Sequence, residues 1–274
     1  MPTKPLEEPR GNPENAPHKA RRMAESFGVD PERYDRTRPR YPEALVRWIA
    51  ASAPGSEVLD VGCGTGIAAR QLRDAGCTVL GVDVDARMAA FARTRGLDVE
   101  VAAFETWDAA GRRFDAVVAG QTWHWIDPVA GAGKAAEVLR PGGRITLFWN
   151  VFRPAPEVAE AFGEAHARAL PDAPRNPWAR PVLDAYGGIV AKVADGLRAT
   201  GRFDEPEERR FDWECTYTRD VWLEQLRTSG EAVHYSPEQT EDLLARTGAA
   251  IDALGGSFTM AYAATAVTAT RTEN

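Results

Sequence analysis

The chain has 274 residues and 29.9 kDa, with 44% hydrophobic and 27% charged residues, an ordinary balance for a globular protein. A net charge of -7 and a pI near 5.3 argue against a nucleic-acid partner, since carboxylates surround arginines such as Arg36, Arg38 and Arg40 and phosphate binding needs a clustered positive field. No run approaches the roughly 18 apolar residues of a membrane span, no apolar leader opens the chain, and Cys63, Cys77 and Cys215 fit no metal pattern.

The expectations are a cytoplasmic protein, monomer or homodimer, with no membrane and no metal. Residues 1–20 are rich in proline and charge, with almost nothing to bury, and read as a disordered tail. A helical pattern from 21 is interrupted at Gly28 and Pro31. Tyr34-Asp35-Arg36-Thr37-Arg38-Pro39-Arg40-Tyr41-Pro42 follows, then a helix over about 43–51 with Leu45, Trp48 and Ile49 on one face. Arg38 can fork onto a carboxylate, and Tyr34 or Tyr41 can turn a ring face to a cation. Anchoring of an N-terminal helix by packing is the alternative.

Val58-Leu59-Asp60-Val61-Gly62-Cys63-Gly64-Thr65-Gly66 starts as a buried strand, breaks into alternate glycines and resumes as a helix. Such a turn lets a ligand touch backbone and face helix N–H groups. A second strand over 78–83 ends on Asp83, 21 residues after Gly62, where a ribose hydroxyl pair would be held. A nicotinamide loop spaces its glycines G-x-G-x-x-G. Here the third glycine comes one residue early, and Asp60 would repel a pyrophosphate. That acid suits a ligand with an ammonium and a sulfonium, which is S-adenosylmethionine.

Asp60-x-Gly62-x-Gly64-x-Gly66 resembles the first motif of the class I S-adenosylmethionine-dependent methyltransferases, and Gly81-Val82-Asp83 is similar to their second. The stretch 34–42 resembles a Y-x-x-x-R-P-x-Y-P segment that closes over the cofactor in many of them. The resemblance implies that Tyr34, Arg38, Asp60, Gly62, Cys63, Gly64, Gly66 and Asp83 hold the cofactor. It also implies that Val84 and Met88 border the adenosine, and that Phe104 and Glu105, after a third strand over 98–102, flank the adenine edge.

A fourth strand over 113–120 ends at Gly120-Gln121-Thr122-Trp123-His124-Trp125, similar to the family's fourth motif. Strand ends face the ligand in open α/β sheets, so Gln121 should contact the cofactor and Trp123 and His124 the acceptor. Asp127 is a plausible cap and Pro128 the first residue of a helix to about 139. The Leu139-Arg140-Pro141-Gly142-Gly143 turn, a family mark, precedes a strand over 145–150 that carries Trp149. Residues 151–205 are helical in pattern, and such an insertion implies an acceptor lid; Tyr41, Trp149, Trp178 and Tyr186 join Trp123 as candidate acceptor contacts. Residues 206–274 supply two late antiparallel strands, 208–218 and 257–270, and two helices between them.

The expected fold is α/β: a Rossmann-like, seven-stranded, mostly parallel sheet flanked by helices, with a helical insertion after the fifth strand. Cap helices and core would occupy 21–150, the lid 151–205 and the sheet's completion 206–274. Methyl transfer from a sulfonium needs an acceptor placed in line and water kept out. His124 is the candidate base if the acceptor must lose a proton, with His166 and His234 weaker. The partner is a small-molecule acceptor methylated on oxygen, nitrogen or carbon. A non-methylating use of the same site, as a scaffold or a cyclase exploiting the sulfonium charge, stays open. A nicotinamide oxidoreductase is disfavoured by the glycine spacing.

Overall fold

A computed structural model of the chain describes residues 27–174, 176–179, 182–228 and 235–273. The expected tail, the pattern from 21 to 26 and His234 lie outside the described residues. The elements in order are α1 (Pro31–Thr37), α2 (Glu43–Ser52), β1 (Glu57–Val61), α3 (Ile67–Asp74), β2 (Thr78–Asp83), α4 (Ala86–Thr94), β3 (Asp98–Val101) and β4 (Phe114–Gly120). They continue with α5 (Pro128–Val138), β5 (Leu139–Pro154), α6 (Pro156–Ala169), α7 (Val182–Thr200), β6 (Glu207–Thr218), α8 (Arg219–Arg227), α9 (Pro237–Ala253) and β7 (Ser257–Thr270).

The strands form one seven-stranded sheet in the order β3-β2-β1-β4-β5-β7-β6. Pairing is parallel from β3 through β5, and β7 runs antiparallel to both β5 and β6. Of the two late strands expected to be antiparallel, β7 thus runs against the rest while β6 shares the direction of β1–β5. The order reverses between β1 and β4, which opens a crevice beyond their carboxyl ends.

Alternating side chains divide the central strands between two buried layers. Leu59, Val117, Ala119, Ile145, Leu147 and Trp149 pack under α5 and α7, while Val58, Ala116, Val118 and Phe148 pack under α2 and α3. Each fully buried Leu, Ile or Val side chain contributes about 1.5–3 kcal/mol. A third cluster, of Phe162, Tyr217, Trp222, Phe258 and Tyr262, joins α6, α8 and α9 to the far ends of β6 and β7.

Local signals account for the element ends. Asp127 accepts hydrogen bonds from the Val129 and Ala130 N–H groups, capping α5, and Pro128 takes its first position. Ser236 and Gln239 form a reciprocal capping box on α9. The β5 strand differs from expectation by running past Asn150 to Pro154. Pairing with β7 continues to Pro154↔Met260, and that ladder overrides the helical pattern read from 151. Upstream, Arg140 to Gly143 form an irregularity between the Phe114↔Leu139 and Ala116↔Arg144 pairs, with Gly142 at φ 75.

Candidate functional site

The crevice holds a cavity of about 370 Å³. Its first end is made largely by backbone. Gly62, Gly64 and Gly66 all have positive φ, at 64, 56 and 84. At Gly62 a Cβ would collide with the Thr122 side chain, whose hydroxyl lies 3.0 Å from Gly62 O and 3.1 Å from Gly120 O. At Gly64 a Cβ would meet nothing within 4 Å, so this turn opens onto empty space. Gly66 is different: it starts α3 from a left-handed conformation, packs against Leu97 and does not line the cavity.

Asp83 ties this turn to the end of β2. Its Oδ2 accepts from Gly64 N at 2.7 Å and its Oδ1 from Asp85 N at 2.8 Å. Burial pushes its carboxyl above the usual range against the pull of those donors. Asp60 is 1% exposed, and its Oδ2 has no hydrogen-bond partner. Burial, assisted by the nearby Asp83 charge, raises its pKa to about 8. Val84, Met88, Ala102 and Phe104 supply an apolar wall between these acids and Glu105, whose Oε1 accepts from Asp127 N at 3.3 Å.

The other end is made by side chains. Residues 34–42 are pinned to the core by reciprocal bonds between Tyr41 and Gln71, at 3.0 and 2.8 Å, and by Arg70 donating to buried Asp35 at 2.5 Å. Arg38 lies over the Tyr34 ring, 4.8 Å from its centroid, and donates to Thr228 O. Burial raises the Tyr41 and Tyr186 phenols and pushes Tyr262 up to about 12, so all three stay protonated near neutrality. Tyr262 pairs with Tyr217 at 2.7 Å. Gln121, at φ 58, is held by Phe148 O through its N–H and by Asn150 O through its side chain, at 2.8 and 3.2 Å. His124 accepts from Trp149 Nε1 at 3.2 Å, and burial lowers its pKa to about 4.

Of the residues singled out in the sequence, Tyr34, Arg38, Tyr41, Asp60, Gly62, Cys63, Gly64, Asp83, Val84, Met88, Phe104, Glu105, Gln121, His124 and Tyr186 line this cavity. Trp123, Trp149 and Trp178 do not. Trp123 is buried behind Phe104, and Trp149 lies behind His124. Trp178 packs on Phe152 and Phe162 with ring centroids 5.5 and 5.0 Å away. Sequence reasoning missed Thr122, Trp125, Asn150, Phe152, Gln225 and Tyr262. The β7 alternation placed Tyr262 on a strand face; nothing local marks Gln225. His166 is buried in α6 and does not line the cavity. Among the described residues no group of three or more His, Cys, Asp or Glu could hold a metal, and no helix is long and apolar enough to cross a membrane.

A family profile described as a methyltransferase domain matches residues 59–147, from β1 into β5. An uncharacterized methyltransferase of Mycobacterium tuberculosis is 38% identical over 135 residues, 47% of this chain and 54% of the relative, so the chain spans about half the length of that protein. Nocamycin O-methyltransferase of Saccharothrix syringae is 33% identical over 247 residues, covering 78% of this chain and 85% of the relative. The solved structure of a protein assigned as a type II methyltransferase from Anaeromyxobacter dehalogenans superposes with a TM-score of 0.64 at 23% identity, covering 86% of this chain and 99% of that one. The glycine turn, the acid-ended second strand and a relative matched along most of its length agree: the chain belongs to the class I S-adenosylmethionine-dependent methyltransferases.

Proposed function

We propose that this chain transfers the methyl group of S-adenosylmethionine to a small-molecule acceptor by in-line displacement. The observation that carries the reading is one continuous cavity with a backbone-built end at the glycine turn and a side-chain-built end of tyrosines, Arg38 and His124. The first end fits the methyl donor. Gly64 leaves a cradle that a Cβ would fill, and the buried Asp60 Oδ2 without a partner suits an ammonium. Each Asp83 oxygen retains a lone pair for a ribose hydroxyl beyond the backbone N–H it already accepts. Met88 and Phe104 would cover the adenine faces.

When bound, the donor supplies a methyl on cationic sulfur. The chain's own work is to orient the acceptor and to exclude water. Tyr186 at the start of α7 and Phe152 near the end of β5 would cover the acceptor, as the part of the 151–205 segment that reaches the cavity, and 206–274 completes the sheet. The relative named for nocamycin O-methylation supports a small-molecule acceptor.

Incubation with methyl-labelled S-adenosylmethionine and a panel of acids, phenols and amines tests this. Acceptor-dependent release of S-adenosylhomocysteine is expected. Binding of the donor with no methylated product from any extract or panel would favour a non-methylating role for the same site.

A further inference from the structure

The hydrogen bond behind His124 fixes what this imidazole can do. An indole N–H only donates, so Trp149 Nε1, 3.2 Å from His124 Nδ1, requires a lone pair on that nitrogen. Trp149 is fully buried in β5, and the Trp125 ring centroid lies 4.7 Å from that of the imidazole. The neutral ring therefore carries its single proton on Nε2, which has no hydrogen-bond partner among the described residues, and the ring lines the cavity. A base would need a lone pair where this ring presents N–H.

No other group at that end takes over. Tyr34, Tyr41, Tyr186 and Tyr262 are phenols, the last three buried and Tyr34 covered on its ring face by Arg38. Asn150 is committed on both sides, donating to Arg40 O at 3.1 Å and accepting from Trp213 Nε1 at 3.1 Å. The cavity's carboxyls, Asp60, Asp83, Asp85 and Glu105, belong to the glycine turn, the end of β2 and the apolar wall. Arg38 adds positive charge at the acceptor end, which favours an anion there.

We propose that His124 is a neutral Nε2–H donor to the acceptor oxygen, locked in that tautomer by Trp149, and that the acceptor is a carboxylate or enolate already ionised when it binds. This rests on the methyl-transfer reading above. The oxygen lone pair forms the new O–CH3 bond as the S–CH3 bond breaks, with its electron pair left on sulfur. The oxyanion and sulfonium charges cancel, and no proton moves.

Nitrogen-15 NMR of the histidine rings, in full-length protein saturated with S-adenosylhomocysteine, reads the tautomer directly. The chain has four histidines, and H124Q identifies the relevant signals by difference. His124 is expected to show protonated Nε2 and bare Nδ1 unchanged from pH 8 to pH 5, and W149F to let an Nδ1–H form appear. A protonated Nδ1 in the unmutated protein, or titration near pH 6.5, overturns the proposal. Calorimetry on the same sample reads the donor site separately; absence of S-adenosylhomocysteine binding would withdraw the methyl-transfer reading and the acceptor class with it. Methylation of 4-hydroxycoumarin, an enol acid, at a rate independent of pH while it stays ionised supports the acceptor class. Comparable methylation of a simple alcohol overturns it.

Discussion

The two ends of the cavity are built in opposite ways. The donor end comes from short contiguous stretches, 60–66 and 81–88, and its contacts are mainly backbone and carboxylates at strand ends. The other end, where we place the acceptor, draws on Arg38 after α1, Phe152 on β5, Tyr186 on α7, Gln225 on α8 and Tyr262 on β7, residues scattered over most of the chain, although the family resemblance would give Arg38 to the cofactor. On the proposed reading, local geometry specifies the donor site, while long-range assembly specifies the acceptor site. Substitution at the first end is expected to change donor affinity, and at the second to change acceptor use alone.

The largest effect on donor affinity is expected from Asp83→Ala, which removes the acceptor of two backbone N–H bonds and, on the proposed reading, of the ribose hydroxyls. Charge-assisted bonds are worth about 1.5–3 kcal/mol each, so S-adenosylhomocysteine affinity should fall about a hundredfold by calorimetry. Unchanged affinity would remove Asp83 from the donor end. Next, Gly62→Ala puts a Cβ against Thr122 at φ 64 and should cost about 2 kcal/mol of stability in a denaturant melt.

Asp60 gives a pH-dependent effect. Its pKa of about 8 lies above the ordinary 3.8, so between those values only the unfolded chain ionises and native stability falls as pH rises. Asn does not titrate. Asp60→Asn should therefore gain on the unmutated protein as pH rises from 4 to 8, by several kcal/mol at about 1.4 kcal/mol per pH unit, while the cost of an unpaired buried amide offsets the whole curve equally at every pH. A gap that stays constant across that range would mean Asp60 is ionised in the free protein. The smallest change is expected from Tyr262→Phe, which removes the Tyr217 bond: about 1 kcal/mol of stability and an altered acceptor KM, with donor affinity kept within about twofold.

The same contrast governs what the sequence discloses. Glycines at alternate positions, Asp83 at the second strand's end and the Asp127-Pro128 helix start each act within a few residues, and the structure has the turn, the strand end and the capped helix there. Tryptophans are another matter. Trp123, Trp149 and Trp178 carry apolar bodies that suit a core or a cavity wall equally, and their packing behind Phe104, His124 and Phe152 depends on registers that local pattern does not encode. Phe152 reached the cavity because β5 follows β7 to Pro154, a pairing between positions more than a hundred residues apart. Gln225 is placed by the docking of α8, and no nearby residue announces it.

Gly64→Ala tests the central claim most directly, because the added Cβ touches no protein atom within 4 Å and points into the space assigned to the donor. Left-handed backbone at φ 56 costs Ala about 1 kcal/mol, so the variant should fold with a slightly lowered melting temperature. Calorimetric titration with S-adenosylhomocysteine should show affinity in the unmutated protein and at least a tenfold loss in the folded variant. Equal affinity in the two proteins would contradict a donor seated on the glycine turn.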